Sequence, residues 1–134
     1  MAVPLEELKN VISELIRVEG VEGVVISTID GLPLVSTLGD RDLEERIAAL
    51  TAVLSEVGAR TSVELGKGEP SWISIHSSDG SGVIVLKVAD LGYLSVLFSK
   101  NARLGVLLYA LKSTRGKLEK LLKARKHEKN GSIS

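Results

Sequence analysis

Residues 20–36 read GVEGVVISTIDGLPLVS. Within this stretch residues 23–29 (GVVISTI) are rich in β-branched side chains and predict a strand. Asp30-Gly31-Leu32-Pro33 reads as a turn, because glycine supplies positive φ and proline fixes its own. Residues 34–37 then form the short return strand of a hairpin. A hairpin this early, with helical patterns on both sides, places the chain in the α+β class and gives it an antiparallel sheet.

Upstream, Pro4 suits a first helical turn, and Leu5, Leu8, Val11, Ile12, Leu15 and Ile16 follow at helical spacing until Gly20. Downstream, Asp40 or Asp42 can cap a second helix that runs to Leu65, with Gly66 as its left-handed stop. Residues 71–77 (SWISIHS) alternate, with Trp72, Ser74 and His76 on one side and Ile73 and Ile75 on the other. A turn over 78–82 leads into two nearly continuous apolar strands, 83–88 and 93–98, which read as the buried middle of the sheet. Asn101 is placed to cap a last helix with the stripe Leu104, Leu108, Leu111, Leu118 and Leu122. The predicted order is α-β-β-α-β-β-β-α, one domain over residues 1–126 with a flexible polar tail over 127–134.

The second helix carries two apolar sets. At about 100° per residue, Leu43, Ile47, Leu50, Leu54, Val57, Thr61 and Leu65 form a face wide enough to lie on the sheet. Ala48, Ala52, Ala59 and Val63 fall on another flank. Alanine is a good helix former and needs no partner on a surface. The sharper reading gives this small-residue flank to a second copy of the helix across a two-fold axis, since small residues allow close approach. The strand over 71–77, if it is a sheet edge, must be covered or paired. The expected homodimer interface is therefore Ala48, Ala52, Ala59, Val63, Trp72, Ile73, Ser74, Ile75 and His76.

Composition narrows the functional classes. The 134 residues are 44% hydrophobic and 25% charged, enough for one domain with a real core. Cysteine is absent, which excludes disulfides and thiolate sites. No apolar run approaches the roughly 20 residues of a membrane helix, and no secretory signal is visible at the start, so a cytoplasmic protein without membrane insertion is expected. Charge is zero overall but dipolar: residues 1–99 hold seven Lys/Arg and fifteen Asp/Glu, residues 100–134 ten and two. With aromatics at 3%, a base-stacking platform is out of reach and no nucleic-acid partner is expected. Lysines near the chain's end suit the negative C-terminal pole of a helix.

Catalytic patterns are missing. His76 and His127 have no metal-ligand spacing, no G-x-S-x-G elbow occurs, and Ser77, Ser78, Asp79 and Ser81 read as turn chemistry. Gly66-Lys67-Gly68 lacks the upstream glycine and the Ser/Thr of a phosphate loop. No enzyme, cofactor or metal site is expected.

The hairpin block 20–36 resembles the opening hairpin of Roadblock/dynein light-chain domains. Glu64-Leu65-Gly66-x-Gly68 at the end of the second helix and Asn101-Ala102-Arg103-Leu104-Gly105 at the start of the last are similar to two further signatures of that family. Arg103 stands where the family pattern has an uncharged residue. The resemblance covers about residues 4–122 and is nearest the MglB-like prokaryotic branch. It implies a profilin-like sandwich, a five-stranded antiparallel sheet with helices on both faces. It also implies a homodimer through the third strand and second helix, and a regulator or scaffold of small Ras-like GTPases that repositions the GTPase's own residues. On this reading Glu45, Ala49, Val53, Glu56 and Arg60 are the GTPase contacts. The alternatives are an inert light-chain-like scaffold and a small-molecule sensor.

Overall fold

The computed structural model describes the backbone of residues 4–133 and the side-chain surroundings through residue 123. The elements are α1 (Leu5–Leu15), β1 (Val21–Thr28), β2 (Pro33–Ser36), α2 (Arg41–Glu64), β3 (Ile73–His76), β4 (Gly82–Val88), β5 (Gly92–Phe98) and α3 (Leu104–Ile133), the expected order. The expected tail over 127–134 falls where side chains are outside the described residues; α3 itself runs past residue 126.

The five strands form one sheet in the order β2-β1-β5-β4-β3, with antiparallel neighbours throughout. Two distant parts of the chain meet at its centre, where Val24 pairs with Val96 and Ile26 with Leu94. β3 pairs only with β4 and is an edge of the sheet.

Each helix end has a physical cause. Asp40 is the cap of α2: its Oδ1 accepts from the Leu43 amide at 3.2 Å. At the other end Lys67 N donates to Ser62 O (2.9 Å) and Gly66 N to Val63 O (3.0 Å), with Gly66 at φ +76°. This pair of bonds is a Schellman closure, which needs the left-handed residue that glycine supplies. The backbone of Gly66-Lys67 is thereby committed to ending a helix. Asn101 does not cap α3, contrary to expectation. It lies in a turn where its amide donates to Ser99 Oγ (3.2 Å), and the first helical bond runs from Leu107 N to Arg103 O (2.9 Å).

The two faces of the sheet are built differently. α1 and α3 cover one face, where Leu8, Ile12, Leu15, Val24, Ile26, Ile84, Leu86, Leu94, Val96, Phe98, Leu107, Leu111 and Leu118 make a continuous apolar core. Lys117 Nζ and Glu14 Oε2, 3.0 Å apart, tie α3 to α1 at the surface. α2 covers the opposite face, and its buried residues there are Ala48, Thr51 and Ser55.

Candidate functional site

The face of α2 turned to the sheet is rotated away from the one its leucines predict, with Leu43, Ile47 and Leu54 left half-buried at its margin. Ala48 is fully buried within the chain, whereas Leu50 is 68%, Val53 60% and Val57 56% exposed. The reason is close approach. β1 and β5 present Ser27 and Ser95 on this side, and Thr51 Oγ1 lies 3.0 Å from Ser95 Oγ in a buried hydroxyl pair. Farther along, Gly58 stands so near Ile73 of β3 that any Cβ there would collide with the isoleucine's Cδ1. Only small residues fit a helix pressed this closely to a sheet, so the alanine, serine and glycine stripe faces inward.

This corrects the expected dimer contacts. Ala48 cannot touch a second subunit, because its own sheet covers it. Ala52 and Ala59, on the same side of the helix, are half-buried, while Val63 is exposed. Ile73 and Ser74 are half-buried and Trp72, Ile75 and His76 exposed along the β3 edge. His76 Nε2 is 3.0 Å from Ser74 Oγ, and its ring sits 5.7 Å from that of Phe98. The loop ahead of β3 is held from α3: Lys112 Nζ lies 5.6 Å from the centre of the Trp72 ring, and Arg115 Nη1 donates to Ser71 O at 3.2 Å.

The five residues assigned to a partner, Glu45, Ala49, Val53, Glu56 and Arg60, do share one exposed flank of α2. Glu45 pairs with Arg41 (3.4 Å) on the helix surface. Arg60 borders a shallow groove with Val57, Thr61, Glu64 and Leu65. Ala49, Val53 and Glu56 form one wall of a deeper cleft of about 620 Å³ between α2 and the sheet. Ile29 and Asp30 close one end, Val85, Lys87 and Tyr93 form the floor, and Glu69, Pro70, Trp72 and Ile73 the far rim. The sequence reading did not assemble this cleft. Its signal lay in period two: Val85 and Lys87 alternate with the core residues of β4, and Tyr93 with those of β5.

Among the described residues no group of three His, Asp or Glu side chains is placed to hold a metal ion. The Asp79 carboxylate accepts from the hydroxyl (2.6 Å) and amide (2.9 Å) of Ser81, which hold its pKa below the ordinary carboxylate value. That cluster closes a hairpin. No helix among the described residues is long and apolar enough to cross a membrane.

Comparison with known proteins agrees with this architecture. Residues 7–98 match the model of the Roadblock/LC7 domain. An uncharacterized protein of Methanocaldococcus jannaschii, MJ0310, is 27% identical over 112 residues, covering 84% of this chain and 96% of that protein. Among solved structures, Myxococcus xanthus MglB superposes with a TM-score of 0.83 at 16% identity, over 92% of this chain and 93% of its own. A chain of the LokiProfilin1/rabbit actin complex matches with a TM-score of 0.56 at 14% identity, over 90% of this chain and 98% of its own. The fold is profilin-like.

Proposed function

The chain belongs to the Roadblock/LC7 family, and from that premise we propose that it is a non-catalytic homodimer that binds a small Ras-like GTPase and regulates or scaffolds it. One observation carries the reading: an uncovered apolar side of α2 (Leu50, Val53, Val57) on a helix whose Gly58 receives the Ile73 side chain of the open edge strand β3. A large apolar side chain left in water three times on one helix face marks an interface. An unpaired edge strand is a template for its own twin. Two copies joined through β3 make one ten-stranded sheet, with both α2 helices on the same side as a platform. Glu45, Ala49, Val53, Glu56 and Arg60 on the flank of that platform then meet the GTPase, whose own residues do the chemistry.

Sedimentation at micromolar concentration is expected to give a dimer, and Val57→Asp a folded monomer. A strict monomer for the unaltered protein overturns the reading. The pair Glu56→Arg with Arg60→Glu should lower affinity for the Ras-like GTPase of the same genome by about tenfold while the dimer persists. Single-turnover hydrolysis of bound GTP separates the two forms of the proposal. Acceleration identifies a regulator, and binding without acceleration a light-chain-like scaffold. The cleft beneath α2 favours a second reading, a small-molecule sensor.

A further inference from the structure

α3 carries lysines that the field at a helix end does not explain. Cations stabilise the negative C-terminal pole of a helix only within about its last turn. α3 runs to Ile133, so Lys112, Lys120 and Lys123 stand well short of that end. Each is exposed, and among the described residues none of the three is in an ion pair. At about 100° per residue all three fall within about 60° of Tyr109, and so does Val106. Tyr109 is 80% and Val106 55% exposed. Between Leu104 and Lys123 the helix has one carboxylate, Glu119, which is half-buried at the side of this ridge.

The opposite side of the sheet has the opposite sign. α2, from Arg41 to Glu64, holds five Asp/Glu and three Arg, whereas α3 from Leu104 to Lys123 holds one Glu and five Lys/Arg. α1 shares a face with α3 and brings Glu6, Glu7 and Glu14 against Lys9, but Glu14 is taken up by Lys117. The cationic strip therefore follows the outer ridge of α3. Lysines alone suit any polyanion. A tyrosine and a valine among them, with no carboxylate between, suit a lipid interface. There an aromatic ring sits at headgroup depth, while lysine stems lie along apolar surface and their ammonium groups meet phosphates. Nucleic acid held by base stacking calls for more than one ring.

We propose that the outer ridge of α3 rests on an anionic lipid surface, with Tyr109 and Val106 at headgroup depth and Lys112, Lys120 and Lys123 among the lipid phosphates. The contact is adsorption from one side, since no helix among the described residues is long and apolar enough to cross a membrane. α2 covers the other face of the sheet, so its exposed side points away from the lipid. A single chain carries the whole ridge, so the inference rests neither on the homodimer nor on the GTPase.

The test sediments the full-length protein with vesicles of phosphatidylcholine containing about one-third phosphatidylserine, and in parallel with pure phosphatidylcholine. Saturable binding to the anionic vesicles is expected, at least roughly tenfold weaker to the neutral ones, and lost as salt rises to about 0.5 M. Each cation at the surface is worth roughly fivefold in partitioning, so Lys120→Gln with Lys123→Gln should weaken binding by at least roughly tenfold. An unchanged thermal melt confirms that this variant is folded. Tyr109→Ser leaves the charge alone and should weaken binding by about threefold, a readout that diffuse attraction to lysines elsewhere in the chain does not move. No binding to vesicles, equal binding to both kinds, or full binding by the lysine variant overturns the proposal. Full binding by Tyr109→Ser overturns the seating of this ridge on the lipid. Binding to duplex DNA in place of vesicles makes the strip a nucleic-acid face and overturns the proposal as well.

Discussion

The two faces of the sheet are held by different physics. Under α1 and α3 the contact is made of leucine, isoleucine, valine and phenylalanine, each removing a large apolar area from water. Under α2 the helix contributes Ala48, Thr51 and Ser55, against Val25, Ser27, Val85, Tyr93 and Ser95 of the sheet, a smaller apolar contact that leaves the Ser27 and Ser55 hydroxyls unpartnered. The first face stabilises the domain. The second keeps α2 close to the sheet at modest cost, while the helix spends its large apolar side chains on its outer side. A helix whose best hydrophobic surface points away from its own core gains the rest of its stability from whatever covers that surface.

The sharpest break of this contrast is Phe98→Ala, in the apolar core. It should cost about 3–5 kcal/mol, read from denaturant melts, because the surroundings cannot collapse into so large a void. The α2 side should answer to hydrogen bonding instead. Thr51→Val removes one partner of the Thr51–Ser95 hydroxyl pair and is expected to cost about 1–3 kcal/mol by leaving Ser95 unsatisfied. Ser27→Ala, a step away on the same face, should be neutral or stabilising by up to about 1 kcal/mol, because its hydroxyl has no partner to lose. If Ser27→Ala cost as much as Thr51→Val, the distinction between the two positions would be wrong. At the helix end Asp40→Ala should cost about 1 kcal/mol, the worth of one N-cap.

Much of this was legible from local chemistry. The hairpin turn at Asp30-Gly31-Leu32-Pro33, the Asp40 cap and the Gly66 stop are all short-range decisions, and the structure carries each of them. The alternation of β3 was legible, but its place at the edge of the sheet was only a condition until the strand order was known. The orientation of α2 did not follow, because hydrophobic periodicity assigns the broadest apolar face to the core. Here Leu50, Val57 and Leu65 of that face point outward, while Leu43, Ile47 and Leu54 are only half-buried at its margin. The missing information was on other segments. Ser27 and Ser95 lie on neighbouring strands and on the same face, and only that shared face shows that the helix opposite must be small and partly polar. Reading Thr51, Ser55, Gly58 and Ser62 as a stripe would have found the match. The cleft was hidden for the same reason, since its lining comes from five separate stretches of chain.

The central register, with Val21 opposite Phe98 and Thr28 opposite Gly92, has a kinetic consequence. β1 and β2 can close locally, and so can β3, β4 and β5, but the seam between these two units needs a long stretch of chain to loop back first. α2 lies inside that loop and spans both units, touching Ala49 to the β1–β2 turn and Gly58 to β3. Its landing site is therefore complete only when the two units have joined. The full seat of α2 forms late, although the β1–β2 hairpin can hold part of it earlier.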